Sequence, residues 1–130
     1  RYRGIVSAKE ALVRSLNVPA VRLLNKFGLQ AFYYFLKEAG LHTLFRSAAA
    51  YGLPLILGGA EVTLWDMTAL YRGLGREGRF SALTFLQDSA AATDNEKALI
   101  SKGAAWLTLN MLKELKRPGS EYYWRRYQNQ

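Results

Sequence analysis

EALVRSLNVPAVRLLNKFG, from Glu10 to Gly28, sets a serine, a leucine and an asparagine between two amphipathic stretches, just ahead of a proline. Upstream, Ser7-Ala-Lys-Glu10 has capping-box spacing, in which a hydroxyl accepts from a free helix N–H and a glutamate reaches back. A helix is therefore expected from there, with Ala8, Ala11 and Leu12 inward. The residue before a proline is pushed out of the helical region, so Val18 should break the chain and leave Ser15-Leu16-Asn17 extended or turning. In such a segment alternate residues project to one side: the Ser15 hydroxyl and the Asn17 amide face together while Leu16 turns to the core. Capping a helix is the common alternative use of both residue types.

Pro19 suits a first helical turn, and Ala20, Val21, Leu24 and Phe27 recur at threes and fours, which predicts a second helix up to Gly28. A third follows at once on Leu29, Phe32, Tyr33, Leu36 and Ala39, with Gly40 placed for a left-handed cap. YGLPLILGGA, from Tyr51 to Ala60, has glycine and proline at both ends of a short apolar run and reads as a buried loop or turn. Thr63-Leu-Trp-Asp66 repeats the capping logic, and Leu64, Met67, Leu70, Tyr71 and Leu74 carry a fourth helix toward Gly73 to Gly78. RFSALTFLQ from Arg79 reads as a short strand or hairpin, and DSAAATDNEK from Asp88 as an exposed polar loop. A last long helix runs from Ser101 on Ala105, Leu109, Leu112 and Leu115, stopped by Pro118-Gly119. The fold class expected is mainly α-helical, with at most one short hairpin.

Composition removes several chemistries. The 130 residues suit one domain, and without cysteine there is no disulfide framework and no thiolate metal site. His42 is the one histidine, and nothing near it has the spacing of metal ligands or of a catalytic triad, so it reads as a turn residue after Gly40. Neither a metal nor a cofactor is expected. The longest apolar run, Leu53 to Ala60, is far short of the roughly 20 residues that cross a bilayer. GLGREG, Gly73 to Gly78, matches the dinucleotide fingerprint in letters, but that motif works between a strand and a helix start, and these glycines follow a helix. Residues 1–26 hold six basic and one acidic residue, residues 27–96 five and seven, and residues 97–130 seven and two. Both ends are thus cationic, which favours an anionic partner. The helix pair from Pro19 to Gly40 and the aromatic, basic tail YYWRRYQNQ offer a helix-turn-helix nucleic-acid module as the alternative. The third helix presents only Gln30, Lys37 and Glu38 outward, few groups for reading bases, so no specific nucleic acid is expected.

Taken together, EALVRSLNVPAVRLL, the glycine-ended helix after it and YGLPLILGGAEVTLWDMTALYRGLGREGRF closely resemble the transpeptidase domain of class A penicillin-binding proteins, nearest the 1C type. The resemblance covers essentially the whole chain. That family carries three motifs, S-x-x-K, S-x-N and K-T-G, and Ser15-Leu16-Asn17 matches the second. No serine here has a lysine three residues later and there is no Lys-Thr-Gly; Ser101-Lys-Gly103 is a different tripeptide. The resemblance implies that residues 1–130 are a partial transpeptidase domain, the region between the first and third motifs, within an α/β fold of the serine β-lactamase and DD-transpeptidase type.

It further implies acyl transfer on the D-Ala-D-Ala end of peptidoglycan stem peptides, with Ser15 as a proton relay and Asn17 as a ligand for substrate and for the nucleophile's lysine. β-Lactams would be trapped as acyl-enzymes. The implied partners are stem peptides, β-lactams and the remainder of the domain, at the periplasmic face of the inner membrane with the anchor outside this chain. The segment alone, without a nucleophile, is expected to be inactive.

Overall fold

The computed structural model describes residues 4–84 and 96–115. In chain order these form α1 (Ala8–Val13), α2 (Asn17–Phe27), α3 (Leu29–Glu38), α4 (Ala48–Tyr51), a 3-10 turn (Leu53–Leu57), α5 (Leu64–Gly75), β1 (Arg79–Phe80), β2 (Lys97–Ala98) and α6 (Lys102–Leu112). The mainly helical expectation holds, and the hairpin reduces to an antiparallel pair in which Arg79 faces Ala98 and Phe80 faces Lys97. Lys97, expected in the polar loop, belongs to that pair. Residues 88–95 of that loop, the end of RFSALTFLQ, the Pro118-Gly119 stop and the aromatic tail lie outside the described residues.

Helix starts follow the local chemistry of the sequence. Ser7, Ser47, Thr63 and Ser101 each accept from the backbone N–H three residues on, which satisfies a donor that the first turn cannot pair internally. Glu10 departs from the capping box: its carboxylate takes Arg14 at 2.7 Å, one turn ahead, where it was expected to reach back. α2 begins at Asn17, with Val18 and Pro19 inside its first turn. The expected break at Val18 does not occur, because a proline there lacks only an N–H that has no helical acceptor anyway. Gly28 then serves two helices at φ +104°, donating to Leu24 at the end of α2 and accepting from Phe32 at the start of α3.

The core gathers on α3 and the segment after it: Tyr33, Leu41, Leu44, Ala48, Tyr51 and Leu55 bury together, with Leu29, Phe32, Leu36, Ala60 and Leu70 against them. The Tyr33 hydroxyl donates to the Arg46 carbonyl at 2.9 Å, and the Arg46 guanidinium sits 4.5 Å above the Tyr51 ring. The run from Leu53 to Leu57, expected as a buried loop, is a 3-10 turn with only Leu55 buried. Two inner faces also depart from expectation. α1 buries no residue, and Ala8, Ala11 and Leu12 all stay partly exposed. α5 buries Asp66, Ala69 and Gly73, while Leu64 (84% exposed), Met67 and Tyr71 face outward. A close approach decides this: a Cβ on Gly73 would overlap the Phe80 ring, so α5 turns its small residues toward the strand pair. α6 buries only Ala105 and leaves Trp106 and Leu107 exposed.

Candidate active site

The turn between α1 and α2 has a defined geometry. Ser15 N–H donates to the Leu12 carbonyl (3.0 Å) and Leu16 N–H to the Ala11 carbonyl (2.9 Å), the pair of bonds of a Schellman helix end. That turn needs a positive φ at the residue after the cap, and Ser15 has φ +51°. Glycine holds this conformation freely; a Cβ makes it cost about 1–2 kcal/mol. Ser15 and Glu77 are the non-glycine residues with positive φ among those described. Glu77 is engaged at its other end by Lys102, 2.6 Å away.

Ser15 and Asn17 line one open cleft of about 700 Å³ together with Leu16, which was expected to face the core and is half-buried on the cleft wall instead. Ile5, Val6, Val18 and Pro19 give the cleft an apolar side, and Arg14 and Arg22 its charge. None of the described residues lining it is acidic. Neither the Ser15 hydroxyl nor the Asn17 amide makes a side-chain hydrogen bond among the described residues, and α2, with Leu16 at its N-cap, has no side-chain cap. The capping alternative for these two residues is therefore not what the turn uses. The start of α2 lies in the same wall, which adds the positive end of the helix dipole to the two guanidiniums.

The remaining marked positions fall elsewhere. His42, read as an isolated turn residue, has a partner 24 positions away: its N–H donates to Asp66 Oδ2 (3.3 Å) and its Nδ1 lies 3.1 Å from Asp66 Oδ1. Asp66 is 4% exposed, and the contact ties the turn after α3 to the first turn of α5, away from the cleft. Gly73 and Gly75 sit in the end of α5, ahead of a strand, the reverse of the order a pyrophosphate site requires. Ser101-Lys-Gly103 is a helix start, with Lys102 paired to Glu77. Among the described residues no cluster has the composition of a metal site. No helix among them is long and apolar enough to cross a membrane. The sequence reading missed Arg14 and Arg22. They lie on either side of the turn, one residue before Ser15 and five after Asn17, and no periodicity in the sequence marks them.

No family model matches the chain, and no solved structure matches it. Two curated relatives do. Penicillin-binding protein 1C of Escherichia coli (strain K12) is 38% identical over 117 residues, covering 90% of this chain and 15% of the relative. Penicillin-binding protein 1F of Bacillus subtilis (strain 168) is 27% identical over 130 residues, covering 92% of this chain and 18% of the relative. The chain spans less than a fifth of the length of these relatives. Over nine-tenths of its own length, it is a sequence relative of the penicillin-binding proteins.

Proposed function

We propose that this chain supplies the Ser-x-Asn motif of a peptidoglycan DD-transpeptidase domain, as the part between the nucleophile motif and Lys-Thr-Gly in an α/β fold of serine β-lactamase type. The observation that carries the reading is Ser15. A serine stands at positive φ where glycine would make the same turn without strain, and its hydroxyl is unspent on the wall of a cleft. Strain of this kind persists where the side chain has a use. The relatedness to penicillin-binding protein 1C over 90% of the chain supports the choice of chemistry.

Acyl transfer releases D-alanine as an amine, a very poor leaving group until its nitrogen is protonated. A hydroxyl accepts one proton while donating another, so Ser15 Oγ passes a proton from the lysine of the nucleophile motif to the departing nitrogen. The Asn17 amide both donates and accepts, which suits it to hold a peptide backbone alongside and to steady the same lysine. β-Lactams enter as substrates whose acyl-enzyme persists. The partners in this reading are stem peptides and the remainder of the domain, at the periplasmic face of the inner membrane.

The isolated chain, with no S-x-x-K serine, forms no covalent adduct with a fluorescent penicillin. In the full-length protein that carries it, Ser15→Ala slows penicillin acylation by about 10²- to 10⁴-fold, with thermal unfolding close to the parent's. Acylation of the variant at the parental rate would reduce Ser15 to a turn residue.

A further inference from the structure

The two arginines on the cleft are not equivalent. Arg14 closes one turn of α1 onto Glu10 at 2.7 Å, so its charge is largely answered within the chain. Arg22 lines the same cleft from α2 and has no acidic partner among the described residues. Its place on the helix explains how it gets there: it lies three positions after Pro19 and four after Val18, the two neighbours beside a given helical residue, and both line the cleft.

The surroundings favour an anion at Arg22. The cleft is lined by two guanidiniums, the positive end of α2 and no acidic residue among those described; Glu10, outside the lining, is engaged by Arg14 and leaves Arg22 as the guanidinium open to an anion. A guanidinium offers a planar fork that fits a carboxylate with two parallel hydrogen bonds. In the same cleft, Asn17 has a donor and an acceptor free for a peptide unit, and Ile5, Val6 and Pro19 supply apolar wall. That combination describes a short peptide with a carboxylate.

We propose that Arg22 is the specificity-determining residue of this cleft, pairing with a carboxylate carried by the peptide that lies past Ser15 and Asn17. The proposal rests on the transpeptidase reading for the identity of the peptide. The carboxylate itself comes either from the peptide's C-terminus or from an acidic side chain, and the chemistry at Arg22 is the same for both.

The test is a ligand-observed NMR titration of the full-length protein carrying this chain. The probes are N-acetyl-D-alanyl-D-alanine, its C-terminal amide, and an amide-terminated peptide with one glutamate side chain. Arg22→Gln weakens binding of the carboxylate-bearing probes by about three- to tenfold, the range between an exposed ion pair and a charge-assisted hydrogen bond. Arg22→Lys restores part of the loss, while the uncharged amide probe and the Lys26→Gln control, one turn farther along α2, do not change. A loss confined to the C-terminal acid assigns the terminal carboxylate; a loss confined to the glutamate peptide assigns the side chain. Equal weakening of acid and amide probes, no weakening of either, no binding by the parent, or an equal effect from Lys26→Gln overturns the proposal. Penicillin acylation of the same preparations is measured in parallel. A parent that discriminates carboxylates through Arg22 but is never acylated sinks the transpeptidase reading alone. Normal acylation without that discrimination sinks this inference alone.

Discussion

Helices α1 and α3 end in the same turn, and the residue at its tightest point is Ser15 in one and Gly40 in the other. Both ends carry the same two backbone bonds: Ser15 to Leu12 and Leu16 to Ala11, Gly40 to Lys37 and Leu41 to Leu36. Both have a positive φ, +51° and +103°. At α3 the turn is built for stability, with glycine at the strained position and Leu41 buried in the core just after it. At α1 the same backbone carries a side chain that strains it, and the leucine that follows is half-exposed on a cleft. Under the proposed function, the difference is that between scaffold and candidate site. One turn spends its residues on folding, and the other keeps a hydroxyl and an amide unspent.

Four substitutions sharpen or break that contrast. The largest effect belongs to the leucines after each turn. Leu41→Ala removes a buried side chain and lowers stability by about 2–5 kcal/mol in denaturant unfolding, while Leu16→Ala costs less than half as much; equal costs would erase the distinction. Next, Gly40→Ser introduces at α3 what α1 tolerates. The space around Gly40 is open, so the penalty is conformational alone, about 1–2 kcal/mol by thermal melting. A neutral outcome would remove the claim that Ser15 is strained. The smallest effect runs the other way: Ser15→Gly relieves the turn and raises stability by about 0.5 kcal/mol, after the extra freedom glycine gives the unfolded chain is subtracted. In the full-length protein the same change still loses most of the acylation rate, a separation of stability from activity that a purely structural serine would not give.

Much of the fold was legible because it is local. Ser7, Thr63 and Ser101 announce helix starts, and Gly28 and Gly40 helix ends, through hydrogen bonds within a few residues of themselves. The inward face of α5 was not legible, since Leu64, Met67 and Tyr71 fall on the apolar stripe that spacings of three and four place inside, yet they are exposed. Contact with Phe80 through Gly73 outweighs that pattern, and it belongs to tertiary structure. The His42 to Asp66 link spans 24 positions and leaves no periodic trace. Within the site, Ser15 and Asn17 were read from a motif. The positive φ at Ser15 was not, because serine carries no signal for it, and Arg22 reaches the cleft through a helix phase that only the structure supplies.

Gly28 also fixes the length of the chain between two helices. A single residue ends α2 and begins α3, donating to Leu24 and accepting from Phe32, so the joint has no slack. Each residue of an α-helix advances the phase by about 100°. An insertion of one residue at this joint would therefore swing Tyr33 off the core while leaving every side chain of α3 unchanged in identity. Substitutions along these helices are tolerated one contact at a time, but a change in length here is not. Across natural variants of this segment, the distance in sequence from Asn17 to Tyr33 should be kept more strictly than most of the residues between them.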